Sequence, residues 1–182
     1  MLTDATKDYE ILEDCDDQTL AMGLVRCTRL RIACDNRLWM EYPGDESSQS
    51  LRSFIYRYAF MPHTGRWEEA GLYNEALAFN APLKVCEFGR QNGLFGAEKS
   101  FLRVEGDNLI LSSVTKTETD AVSIRLYNPT DHAIEGRVVC GFDIAQAASV
   151  RLDGKVRQTL PVADNTVAIS VGKGKIVTVE VK

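Results

Sequence analysis

From Ser100 to Lys182 the chain is a succession of short apolar segments, each cut off by a polar turn within about ten residues, and that spacing leaves little but stacked β-sheets as a fold. Strands are predicted over 101–105, 109–115, 121–127, 134–142, 148–152, 156–161, 166–171 and 176–181. The turns between them are Asn128-Pro129-Thr130-Asp131, Asp153-Gly154, Asp164-Asn165 and Gly172-Lys173-Gly174, residue types that accept or pre-set turn dihedrals. Gly106-Asp107-Asn108 reads as a hairpin connection between the first two strands. Eight strands of this length exceed a small barrel and suit a two-sheet sandwich.

The first hundred residues are less uniform. Strands are predicted near 8–13 and 18–32, and 38–50 reads as turn and loop. Residues 51–60 alternate cleanly, with Phe54, Tyr56, Tyr58 and Phe60 on one face and Ser53, Ile55, Arg57 and Ala59 on the other. A sandwich interior needs large inward residues, so this aromatic row is expected in the core. Between Arg66 and Asn80, Trp67, Ala70, Tyr73, Ala76 and Leu77 recur at steps of three or four and predict one short helix near 66–80, with Glu68 and Glu69 in its first turn and Pro82 ending it. Residues 83–88 read as extended and 89–96 as a glycine-punctuated loop. The expected class is therefore mainly β, an antiparallel β-sandwich with one short helix. Residues 1–98 supply its first part and residues 99–182 an all-β second part, either of the same sandwich or of a small second one.

Composition narrows the function. The net charge is −5, and residues 1–20 hold seven acids against Lys7 alone, so the remainder is close to neutral. Arg26, Arg29, Arg31 and Arg37 are the only local concentration of positive charge, and strand alternation would split them between two faces, which argues against a phosphate-binding stripe and against nucleic acid as a partner. No apolar run reaches the roughly 20 residues of a membrane span, and the N-terminus lacks a basic segment followed by an apolar core. The five cysteines are odd in number with no C-x-x-C pair, which points to buried free thiols in a reducing, cytoplasmic setting. With His63 and His132 the only histidines, no metal site built from this chain alone is expected.

Catalytic groups are equally scarce. Glu68 and Glu69 are adjacent, so on a helix they diverge by about 100 degrees and cannot flank one scissile bond as a carboxylate pair. No G-x-S-x-G elbow exists, and the turn aspartates Asp107, Asp131, Asp153 and Asp164 are accounted for by local hydrogen bonding. No catalytic residue is assigned. Within P-H-T-G-x-W, His63 could bond a backbone carbonyl and Trp67 could close the core.

Four ordered blocks carry a resemblance. They are F-x-Y-x-Y-A-F-M-P-H-T-G-x-W-x-x-A over Phe54 to Ala70, continued by Leu72-Tyr73-x-x-Ala76 and Phe79-Asn80-x-Pro82-Leu83; Thr19-Leu20-Ala21 through Leu24-Val25-Arg26; Ser100-Phe101-Leu102 with Leu109-Ile110-Leu111-Ser112; and Ile124-Arg125-Leu126-Tyr127-Asn128-Pro129. Together they resemble the region that follows the catalytic part of glycoside hydrolase family 38 α-mannosidases. The resemblance implies a sandwich of the galactose-mutarotase-like, super-sandwich type. It also implies a parent enzyme that is a retaining α-mannosidase, whose zinc and two carboxylates come from an α/β barrel upstream. The expected partners are that barrel and, through it, mannosides; homo-oligomers are a further expectation. No cofactor is expected in this chain itself, and it should be inactive alone. By position, Arg26, Arg29, His63 and Trp67 are the residues implied at the rim of the substrate cleft. Arg66 stands where family members commonly carry Asp. A free-standing carbohydrate-binding module and a purely structural or assembly domain are the rival readings.

Overall fold

In the computed structural model, residues 1–14, 17–27, 30–32, 39–41 and 47–182 are described, and the chain divides into two compact units, Met1–Pro62 and His63–Lys182.

The first unit contains three separate antiparallel pairs: β1 (Leu2–Thr3) with β6 (Tyr58–Ala59), β2 (Tyr9–Asp14) with β3 (Asp17–Met22), and β4 (Leu30–Ile32) with β5 (Trp39–Glu41). The strand expected over 18–32 stops at Met22, because Gly23 closes the β2–β3 ladder with its N–H on Asp8 O at 2.9 Å. The loop expected over 38–50 contains β5 and, at Ser47–Gln49, a single 3₁₀ turn. The aromatic row is corrected most. Its side chains do share a face, with Phe54 and Tyr56 rings 5.8 Å apart and Tyr58 and Phe60 rings 6.1 Å apart. Only Tyr58 and Ala59 are paired, however, and Phe54, Tyr58 and Phe60 are exposed rather than core.

The second unit holds α1 (Leu72–Asn80), then β7 (Leu102–Glu105), β8 (Ile110–Lys116), β9 (Val122–Tyr127), β10 (Ile134–Cys140), β11 (Ala147–Val150), β12 (Val156–Leu160), β13 (Thr166–Val171) and β14 (Ile176–Val181). One sheet runs β13-β10-β7 and the other β12-β11-β14-β9-β8, every pair antiparallel. The fold is the expected antiparallel β-sandwich with one short helix. Between the sheets lie Ile124 and Leu126 of β9, Val179 and Val181 of β14, Val138 of β10, and Val167, Ile169 and Val171 of β13. Strand β13 shows why the sequence dictates this: Val167, Ile169 and Val171 are buried while Ala168 and Ser170 between them are exposed, the two-residue period of a half-buried strand.

The expected hairpin at Gly106-Asp107-Asn108 is not one. β7 pairs with β10 and β8 with β9, so this turn carries the chain from one sheet to the other. Gly106 at φ 136° passes close to the Glu135 carbonyl of β10, and Asn108 follows at φ 60°. Cys140 is buried, but Cys27 and Cys86 are exposed free thiols, which corrects the expectation of buried cysteines; Cys15 and Cys34 lie outside the described residues.

A polar staple closes one end of the sandwich. Asn128, 1% exposed, has Nδ2 2.7 Å from His132 O and 2.9 Å from Val171 O, while its Oδ1 accepts from Thr130 N at 2.8 Å and Thr130 Oγ1 at 2.6 Å. Its own N–H donates to Lys175 O. One side chain thus joins the β9–β10 turn to the β13–β14 turn. Asn128→Ala and Asn128→Asp should each lower unfolding free energy by roughly 3 kcal/mol, since both leave buried carbonyls without their donor. Chemical denaturation would show it, and an Asp variant as stable as the parent would overturn this account.

Candidate functional site

A concavity that combines several titratable groups lies where the chain entering α1 meets the β7–β8 and β9–β10 turns. Glu68, Glu69, Gly71, Asn74, Asp107, Asn108 and His132 line an open cleft of about 440 Å³.

Local chemistry positions each side of it. The helix expected over 66–80 begins only at Leu72, because Gly71 sits at φ 63°, a conformation that interrupts helical continuation and favours glycine. Residues 67–70 instead form a separate turn, with Ala70 N donating to Arg66 O and Gly71 N to Glu68 O. Glu68 and Glu69 therefore lie outside the helix, and Glu75 is the acid in its first turn. The turn is fastened to the sandwich by charge and by rings. Arg66 Nη2 lies 2.7 Å from Glu68 Oε1 and 3.3 Å from Asp131 Oδ2. Asn108 Nδ2 donates to Glu68 O at 3.0 Å. Trp67 packs on Tyr73 with ring centroids 5.1 Å apart, and Tyr73 meets Tyr127 of β9 edge to face at 6.4 Å.

The electrostatics follow from these contacts. The Arg66 hydrogen bond holds the Glu68 carboxyl below its usual range. Asp131 is lowered too, first by its hydrogen bond with His132 and then by Arg66. Burial raises the Tyr127 hydroxyl, with Tyr73 adding to it. The Glu68 and Asp131 carboxylates both engage the Arg66 guanidinium, which fastens this turn to the sandwich.

Of the residues implied at a cleft rim, Arg26 belongs to the first unit, exposed and 3.6 Å from Asp8. Arg29 lies outside the described residues. His63 is exposed and makes no hydrogen bond to a carbonyl among the described residues. Trp67 is half-buried against Tyr73. Asp131, Asn108 and His132 were not anticipated as site residues; Asp131 and Asn108 read as ordinary turn formers, and their convergence on Glu68 and Arg66 is set by the sheet topology. Among the described residues, no group of three or more His, Cys, Asp or Glu could hold a metal ion. No described helix is long and apolar enough to cross a membrane.

The comparison with protein families bears on part of the second unit. Residues 108–179 match the family model of the glycosyl hydrolases family 38 C-terminal beta sandwich domain. This stretch, less than half of the chain, is similar to a family 38 C-terminal β-sandwich domain. Among curated proteins and among solved structures no match was found. The matched residues coincide with the packed part of the chain: among the residues whose burial is described, every buried hydrophobic one falls between Leu109 and Val181, and none before Asn108 is buried.

Arg66→Gln should raise the titration midpoint of Glu68 toward the ordinary carboxylate range and move that of Asp131 less, since His132 remains. The depressed carboxylates stabilise the fold above their ordinary range and lose that contribution as pH falls through their lowered folded values, so the variant should be less stable at neutral pH and approach the parent in strong acid. Side-chain carboxyl NMR reads both midpoints, and a larger shift at Asp131 than at Glu68 would contradict the assignment.

Proposed function

We propose that this chain is the C-terminal sandwich region of a retaining family 38 α-mannosidase, that it buttresses the catalytic barrel and shapes one wall of its cleft, and that it hydrolyses nothing by itself. The observation that supports this reading is the distribution of burial. Ordering a residue costs about 1–2 kcal/mol in backbone entropy, which only burial and satisfied hydrogen bonds offset. The segment 109–181 has that compensation in its core. Upstream of it, aromatic and aliphatic side chains such as Phe54, Ile55, Tyr58 and Phe60 stand exposed, and isolated two-stranded ladders are marginal on their own. A domain of this family is C-terminal to a larger body, and that body is the natural cover for these side chains.

On this reading the zinc and the two carboxylates reside in the barrel, and the mannoside reaches this chain only at the cleft rim, at Arg26, Arg29, His63 and Trp67. The exposed free thiols Cys27 and Cys86 suit a cytoplasmic location, where such groups stay reduced.

The purified chain, supplied with zinc, should release no aryl alcohol from an aryl α-mannoside. Zinc-dependent turnover abolished by a chelator would overturn the proposal. Trp67→Ala in the whole enzyme should change KM or kcat severalfold while leaving the zinc content unaltered, and unchanged kinetics would remove Trp67 from the rim.

A further inference from the structure

An asparagine side chain can be attacked by the backbone nitrogen of the residue that follows it, and the fold decides where that happens. The attack needs an N–H free of a hydrogen bond and a backbone free to turn. Most asparagines of this chain meet neither condition. Glu75 N, after Asn74, donates to Gly71 O at 3.3 Å, and Ala81 N, after Asn80, to Leu77 O at 2.7 Å. Leu109 N, after Asn108, donates to Gly106 O at 3.1 Å, and Thr166 N, after Asn165, to Ala163 O at 2.8 Å. Asn128 is followed by Pro129, which has no N–H. Asn36 lies outside the described residues.

Asn92 differs in every respect. Among the described residues neither the N–H of Gly93, which follows it, nor the Asn92 side chain has a hydrogen-bond partner. Both residues are exposed and lie outside any regular element. A Cβ built on Gly93 would meet nothing nearer than Phe95 O at 3.8 Å, so the space around the pair is open. Glycine's wide dihedral range lets its nitrogen swing toward the preceding side chain. Asp153-Gly154 supplies the contrast within the same chain. Its sequence permits the same ring closure, but Gly154 N is held 2.9 Å from Arg151 O. The residue types mark both pairs; the hydrogen bond separates them.

We infer that Asn92 is a site of spontaneous covalent modification, closing on Gly93 to a cyclic imide that opens to aspartate and isoaspartate. The Gly93 nitrogen bonds to Asn92 Cγ, the Cγ–Nδ2 bond breaks, and ammonia leaves with the proton that Gly93 N gave up. Water then adds to one of the two imide carbonyls. Opening at Cγ leaves aspartate; opening at the main-chain carbonyl leaves isoaspartate, with the backbone rerouted through Cβ. Water is the co-reactant, and nothing is oxidised or reduced. The new carboxylate takes the formal charge from −5 to −6, so modified and unmodified chains separate on anion exchange. The sandwich is spared, because Phe95 meets Phe101 edge to face at 5.4 Å and pins the loop between the reacting pair and β7.

The test incubates the purified full chain at mildly alkaline pH, folded and in denaturant, and follows each asparagine by peptide mass spectrometry with chromatographic separation of aspartate from isoaspartate. In the folded chain Asn92 should convert at least about tenfold faster than Asn74, Asn80, Asn108 or Asn165, and within about threefold of its own rate in the unfolded chain. Those four, and isomerisation at Asp153, should slow on folding. Gly93→Ala should slow conversion by about tenfold, since the added Cβ narrows the dihedral range. Asn92→Ala should leave the peptide that contains residue 92 unchanged in mass, and both variants should keep the parent's Tm. Equal protection of Asn92 and Asn165 on folding, or no isoaspartate at residue 92 in the folded chain, would overturn the proposal.

Discussion

Everything ordered in the second unit hangs on one apolar layer, the contact between Ile124, Leu126, Val179 and Val181 of the five-stranded sheet and Val138, Val167, Ile169 and Val171 of the three-stranded one. At about 25 cal/mol per Å² removed from water, this layer is the dominant favourable term available. Because strand side chains alternate, fixing Leu126 inward fixes Tyr127 outward, and the register that pairs Tyr127 with both Ile110 and Ile176 places those two on the outer face as well. Ile110 is nevertheless 1% exposed and lies outside the main cluster. The outer face at this end is thus a second, smaller packing surface, and it is where Tyr73 of α1 meets Tyr127.

The polar contacts are arranged on top of that frame. Asn128 follows Tyr127 directly, so its backbone position is inherited from the strand, and its side chain then locks Val171 and His132. Asp131 and His132 are held at the rim by the same knot, and Arg66 reaches Asp131 only because the knot presents it. The positive charge of Arg66 bridges Glu68 and Asp131, and an acid at this position would put three carboxylates together. The Arg66–Asp131 pair is exposed and contributes little by itself, whereas the Glu68 side chain is only 9% exposed. The consequence of the bridge is geometric: it sets where the turn 67–70, and the Trp67 ring on it, can lie.

The legible parts of the fold are those where a local pattern and the final environment agree. Strands β13 and β14 fall at 166–171 and 176–181 as their alternation predicts, because their apolar faces meet a layer supplied inside this chain. Gly106-Asp107-Asn108 reads locally as a hairpin, yet which sheet receives β8 depends on the pairing of β7 with β10, more than thirty residues away, and no local pattern encodes that. The helix start was misplaced because Trp67 and Ala70 keep helical spacing across Gly71, and spacing alone does not register one left-handed residue. The cleft lined by Asn108 and His132 was illegible for the same reason: two turns become a site only when the strands between them are paired.

The aromatic row at 54–60 is the more instructive disagreement, since its pattern is as regular as that of β13. Phe54, Tyr56, Tyr58 and Phe60 do share a face, so the period is correct, and what differs is the availability of a layer for that face to meet. Hydrophobic alternation encodes a demand for cover and does not encode who supplies it. Between Leu109 and Val181 the demand is met within the chain, and there the family 38 domain is recognised; before Asn108 equally good strand sequence stands exposed. A sequence that had never packed against anything would have no reason to keep a period of two across four aromatic residues, where a polar substitution on an exposed strand costs almost nothing. The exposed row at 54–60 therefore carries a demand for cover that the described residues do not meet.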